Sequence, residues 1–290
     1  MNPPKIQYKI PDPRPSRFDQ GVAQGLLGNW SEAIPNFDRA IALDAENARA
    51  YRYRGVAKTM LEDYSGAIRD LDQAIALDPG HAEAWLDRGV ARCDQGRHEE
   101  AIRDFDQAIV LEPDHAGAWH CRGVAKTHLG RHEEAIRDFD QSIWLNPQNE
   151  PSYCLRGTTK CRLGRDAEAI GDFDQAIGLE PDNSYLWSLR GVAKGRLGRH
   201  EEAIGDLDQA IALNPEKAGD WFDRGMARFA LEQYAEAIGD FSQAIQLQPE
   251  DPDAWYHRGA AKMGLGDYSG AFEDLGHAYQ LDPDLTNIRV

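Results

Sequence analysis

The chain has 290 residues, 41% of them hydrophobic and 28% charged, the make-up of a folded, water-soluble protein. Lys and Arg number 32 against 49 Asp and Glu, a formal net charge of −17. That balance excludes a nucleic-acid backbone or an anionic membrane surface as the main partner, since both would be repelled.

The chain opens on an extended Pro-rich segment over residues 1–13, MNPPKIQYKIPDP, without the apolar core of an export signal. No run of eighteen apolar residues follows anywhere. The four cysteines (Cys93, Cys121, Cys154, Cys161) form no CxxC pair and no disulfide framework. The expectation is a cytoplasmic protein with reduced thiols.

From residue 14 onward a single period governs the chain. An L-x-P tag places Pro79, Pro113, Pro147, Pro181, Pro215, Pro249 and Pro283 every 34 residues without insertion, and Ala45 takes the same place one step earlier. Counting this proline as position 32 gives eight units: 14–47, 48–81, 82–115, 116–149, 150–183, 184–217, 218–251 and 252–285, with 286–290 as a short tail. In the first unit Ser16 is placed to start a helix, and Pro35 is expected to disturb the second helix, where it lacks an N–H. In 116–149 the spacing of Ala135, Ile136, Phe139, Ser142 and Ile143 predicts one face of a helix, Trp119 and Gly123 lie on the helix before it, and Gly130 turns the chain between the two. Asn-Pro or Asp-Pro closes the pair, because the residue before proline is pushed out of the helical region. No stretch alternates with period two, so no strands are expected. One helix pair cannot bury its apolar face alone; stacked pairs can.

These residues resemble the tetratricopeptide repeat, and the resemblance spans 14–285. Position 4 is aromatic (Tyr51, Trp85, Trp119, Tyr153, Trp187, Trp221, Trp255), while position 8 is Gly and position 20 Ala in every unit. The resemblance, closest in style to bacterial members, implies an all-α fold, a right-handed superhelical α-solenoid of antiparallel helix pairs. It also implies a scaffold that binds a protein or peptide, with no enzyme activity, cofactor or metal. The pentatricopeptide family, which reads RNA, is usually basic and has a longer period.

Two positions depart from the family's commonest pattern. Position 7, often Leu, is Arg54, Arg88, Arg122, Arg156, Arg190, Arg224 and Arg258, and position 11 is Lys or Arg in the same units. Position 23 answers with Asp70, Asp104, Asp138, Asp172, Asp206, Asp240 and Asp274. All three charges vanish together in the first unit, at Gln20, Gln24 and Asn36. Intra-repeat ion pairs such as Arg88–Asp104, Arg122–Asp138, Arg156–Asp172 and Arg190–Asp206 are expected; a stripe of basic ligand contacts is the rival reading.

Catalytic signatures are missing. GRHEEAIRDFDQ, present at 96–107 and 130–141, holds His98 and His132, but a zincin's second histidine is replaced by Ile102 and Ile136. These histidines and His200 stand where other units have Trp30, Tyr64, Tyr234 and Tyr268, so a packing role at the helix corner is expected.

The family likeness puts positions 2, 5, 6, 9, 12 and 13 of each first helix on the concave face. That implies a largely apolar, exposed partner-binding groove lined by Tyr53, Leu86, Val90, His120, Val124, Cys154, Leu155, Leu189, Val192, Phe222, Met226 and Tyr256. Cys93, Cys121, Cys154 and Cys161, with His120 and His128, fall in the same groove. Plain lining and a soft-metal or redox cluster are the two readings open for them. No unit combines Lys at 5 with Asn at 9, so the family's two-carboxylate clamp is not expected. At the far end Phe272, Tyr279 and Ile288 are expected to stay uncovered, which leaves self-association through the C-terminal end and the N-terminal segment as the alternative to groove binding.

Overall fold

The computed structural model describes residues 16–283; the Pro-rich segment 1–13, the tail 286–290 and Ile288 lie outside the described residues. Sixteen helices and no strand occur among them. Two compact units divide between Leu145 and Asn146. The first holds α1 (Arg17–Leu26), α2 (Trp30–Leu43), α3 (Ala48–Met60), α4 (Tyr64–Leu77), α5 (Ala82–Asp94), α6 (His98–Leu111), α7 (Ala116–His128) and α8 (His132–Leu145). The second holds α9 (Glu150–Arg162), α10 (Asp166–Leu179), α11 (Ser184–Arg196), α12 (His200–Leu213), α13 (Ala218–Ala230), α14 (Tyr234–Leu247), α15 (Pro252–Gly264) and α16 (Tyr268–Leu281). Helices pack as consecutive antiparallel pairs, and within each unit every pair also packs on the next, an α-solenoid.

Helix starts are written in side chains. Ser16 and Asp19 form a reciprocal capping box at α1, and Asn47, Asp63, Asn183, Asp251 and Asp267 each accept a backbone N–H in a first turn. The turn between the helices of a pair needs one left-handed residue. Gly96, Gly130, Gly164, Gly198 and Gly266 supply it, while Glu62 (φ 62°) and Glu232 (φ 60°) adopt the same conformation with a side chain.

The core runs along the second helices. Ala101, Ile102, Phe105, Ala108 and Ile109 of α6 are buried, and Ala118 and Ala125 of the following first helix close on them, as Ala84 and Ala91 close on the same row of α4. Gly89 lets the two helices of its pair touch: a Cβ there would stand 2.4 Å from the Phe105 ring. Each Trp at position 4 also ties down the preceding loop, as Trp85 Nε1 donates to the Pro79 carbonyl at 3.0 Å.

One expectation is corrected. α2 runs unbroken through Pro35. The bond that proline cannot make is to the Ser31 carbonyl, at an exposed residue where water can serve the acceptor, so the packing of Ala33, Phe37 and Ala40 carries the helix past it.

Candidate functional site

Two faces of the first helices carry polar chemistry. On one, each position-7 arginine is the centre of a four-group cluster. Arg122 donates from Nε and Nη2 to Asp138 at 2.9 and 2.7 Å, Lys126 Nζ reaches the same carboxylate at 2.7 Å, and the guanidinium lies 4.6 Å from the Trp119 ring centroid. Its Nη1 turns back to Asp106 of the preceding repeat at 2.5 Å. The pattern recurs at Arg54, Arg88, Arg190 and Arg224, with Asp38, Asp72, Asp174 and Asp208 as the preceding-repeat partners. Arg156 pairs likewise with Asp172 at 2.5 Å, beside Lys160.

The backward contact explains a pattern the pairing alone left open. Position 25 is Asp in the first repeat, Asp38, because Arg54 of the second repeat uses it. It is Ser242 in the seventh, where Arg258 Nη1 meets the hydroxyl at 3.2 Å, and Gly276 in the eighth. Burial penalises these charges, and the hydrogen bonds outweigh it. The Arg54 guanidinium is held above its ordinary value first by its hydrogen bonds to Asp70, against partial desolvation, then by Asp38. Burial alone would raise Asp274, but Arg258 and Lys262 hold it below the usual carboxylate range. Every cation of this face named here has an acid in contact.

The other face carries the residues expected to line a groove. Tyr53, Leu86, Val90, His120, Val124, Cys154, Leu155, Leu189, Val192, Phe222, Met226 and Tyr256 are all half-buried, not exposed. They lean onto the second helices: Leu86, Val90, Cys93 and Cys121 pack on the Ala101–Ile102–Phe105 cluster, and Phe222, Met226 and Phe229 on Ala237 and Phe241. The expected long exposed apolar strip is thus shallower, because position 5 reaches the aromatic at position 24 of its own repeat, as His120 reaches Phe139 with ring centroids 5.9 Å apart. In the second unit this face opens into a cavity of about 440 Å³ lined by Thr158, Cys161, Arg162, Phe173, Leu189, Val192 and Arg196.

The cysteines lie in this row but in no reactive setting. Burial pushes Cys93, Cys121 and Cys154 up to about 11 and Cys161 up to about 12, so all four are neutral thiols near pH 7. Cys93 Sγ lies 3.5 Å from His98 Nδ1, and the His98 ring stacks on His128 at 4.7 Å, a packed corner as the sequence suggests for His98. Among the described residues no three His, Cys, Asp or Glu side chains are placed to hold a metal ion.

A third polar group was not read from the sequence. Asp220, at position 3 where other units have Ala50, Ala84, Ala118, Ser152, Leu186 and Ala254, is 1% exposed and accepts from Ser188 Oγ at 2.7 Å and Lys217 Nζ at 2.8 Å. Its signal was available: a carboxylate in a column of small and apolar residues.

Comparison with known proteins agrees with this architecture. One tetratricopeptide-repeat family model matches residues 18–58, 61–109, 93–150 and 154–218, a second 199–254 and a third 252–285. No curated protein sequence is significantly similar. Among solved structures, MamA from Desulfovibrio magneticus is 20% identical over 59% of this chain and 96% of its own (TM-score 0.56). YrrB, described as a TPR protein with an unusual peptide-binding site, is 19% identical over 63% and 95% (TM-score 0.58). A tetratricopeptide-repeat protein from Parabacteroides merdae is 17% identical over 90% and 97% (TM-score 0.59). These likenesses show the fold. No described helix is long and apolar enough to cross a membrane. With family models matching most of its length and sixteen helices packed in consecutive pairs, the chain belongs to the tetratricopeptide-repeat family.

Proposed function

We propose that this protein is a binding scaffold that holds an extended peptide or a helix of a partner protein against the face formed by positions 2, 5, 6, 9, 12 and 13 of its first helices. The observation that carries the reading is a contrast between faces. The Arg–Asp face repeats the same chemistry from unit to unit. The opposite face changes at every repeat: position 5 alone runs through Arg52, Leu86, His120, Cys154, Ser188, Phe222 and Tyr256. A face that varies while its frame stays constant is suited to read a partner side chain by side chain. The peptide-binding site ascribed to YrrB on the same fold supports it. The protonated thiols favour binding over catalysis.

Affinity capture with the wild-type chain beside the Leu86→Arg/Phe222→Arg double variant, with circular dichroism to confirm folding, tests it. Partners lost from a folded double variant are expected; an unchanged set of partners would move the site off this face.

A second reading rests on α16. At interior repeats the residues at positions 21 and 28 are covered by the next first helix, as Ile68, Ile75, Ile102 and Ile109 are at 7–8% exposure. In α16 the same places hold Phe272 and Tyr279, 73% and 54% exposed. A second copy of the chain is the occupant this reading commits to.

A further inference from the structure

At four places along the variable face the fifth residue of one repeat and the sixth residue of the next, 35 positions later, are chemically matched. Phe18 and Tyr53 stand edge to face with centroids 5.4 Å apart. Arg52 Nε donates to Asp87 Oδ2 at 2.6 Å. Leu86 and Cys121 pack on one buried cluster. Phe222 and His257 meet edge to face at 5.6 Å.

Ser188 and Asp223 occupy the same two places in the second unit, and there the match fails. The Ser188 hydroxyl turns away to Asp220, and Lys217 Nζ is engaged by both, 2.9 Å from the hydroxyl and 2.8 Å from the carboxylate. Asp223 makes no hydrogen bond or close ion pair among the described residues.

Asp220 supplies an independent sign. Although almost wholly enclosed, it keeps Oδ2 without a partner. Asp220 and Asp223 are three residues apart on α13 and so share a face. Burial first, then the Asp220 charge, push the Asp223 carboxyl up to about 6, while Lys217 and Arg196 pull it down. Both cations are already engaged: Lys217 as above and over the Tyr185 ring at 5.5 Å, and Arg196 3.6 Å from Asp166. There is also room. Ser188 is short where Arg52 is long, and a Cβ on Gly219 would meet nothing within 4 Å.

We propose that Ser188, Gly219, Asp220 and Asp223 form a socket for a basic side chain of the partner, an arginine or lysine seated on Asp223 as Arg52 is seated on Asp87. The socket rests on the groove reading, since the cation arrives on a bound partner, and the net charge of −17 favours a basic one. The missing half of one matched pair is thereby supplied from outside.

The test uses agmatine, a small guanidinium cation, on the full-length chain, with the Asp223 carboxyl followed by carbon-13 NMR across pH and identified by its loss in Asp223→Asn. Agmatine is expected to lower the Asp223 midpoint, an uncharged alkylurea to leave it alone, and Asp223→Asn to weaken agmatine binding about tenfold or more. Ser188→Arg, which restores the internal pair, is expected to abolish the response. An Asp223 midpoint indifferent to agmatine, or shifted no more than that of exposed Glu201, overturns the socket. Agmatine bound at Asp223 while Leu86→Arg/Phe222→Arg loses no partner would instead leave the socket standing and remove the groove.

Discussion

Asp138 is 3% exposed and accepts three hydrogen bonds from two cations, whereas Asp106, bound by the same arginine, is half open to water. Removing one partner of a buried, hydrogen-bonded pair costs roughly 3–5 kcal/mol, and of an exposed pair about 0–1 kcal/mol. Asp138→Asn is therefore expected to lower the thermal midpoint strongly and Asp106→Asn hardly at all; equal effects in melting curves would place the two acids in one environment. Asp223 runs the other way, since its folded value lies above that of an unfolded aspartate. Below about pH 3.8 it is protonated in both states and costs nothing, so the wild type and Asp223→Asn should differ least at the acid end and only slightly at pH 4. Between about 3.8 and about 6 the unfolded aspartate ionises while the folded carboxyl keeps its proton, so stability falls relative to the variant, and the loss is complete above about 6. Denaturant midpoints of both proteins at pH 4 and pH 8 measure this, and a gap that narrows with rising pH contradicts it. The Arg–Asp pairing was legible in the sequence because all three charges disappear together in the first repeat. Asp223's isolation was not, because it depends on which side chains meet 35 positions apart.

At the scale of the helix pair, the turn is the exacting part. Glu62 and Glu232 hold the left-handed conformation that glycine holds elsewhere, at a cost of order 1 kcal/mol each. Glu62→Gly and Glu232→Gly are expected to stabilise the protein by about 0.5–1 kcal/mol, and Gly130→Ala to destabilise it by about 1 kcal/mol, in urea titrations. No change in any of the three would mean that the turns relax freely. The number and type of helices were legible because Gly, Ala and Pro recur at fixed places that only one packing explains. The run of α2 through Pro35 was not, since a local rule about a missing N–H was overridden by burial of Phe37 and Ala40. Exposure of the variable face was misjudged for a related reason. A residue can face outward by position and still lie down on its own repeat's aromatic, as Phe222 does on Phe241 with centroids 5.7 Å apart.

Across the whole molecule, stability is a sum of repeats and of the contacts between neighbours, so a helix with one neighbour is held least. Amides of α16 are expected to exchange with deuterium sooner than those of α14 in the monomer. If copies associate through Phe272 and Tyr279, rising concentration should protect α16, and Phe272→Asp/Tyr279→Asp should abolish that protection. A sedimentation coefficient constant over the same range would remove the second reading. The backward reach of the arginines has a further meaning for how such a chain changes length. Were residues 82–115 excised, Arg122 would inherit Asp72, the neighbour that Arg88 holds now, and no enclosed carboxylate would lose its cations. The same excision would bring Cys121 opposite Arg52 in place of Asp87. Recombination in whole repeats thus preserves the frame while reshuffling the row that meets a partner, so gain or loss of a unit rewrites recognition without threatening the fold.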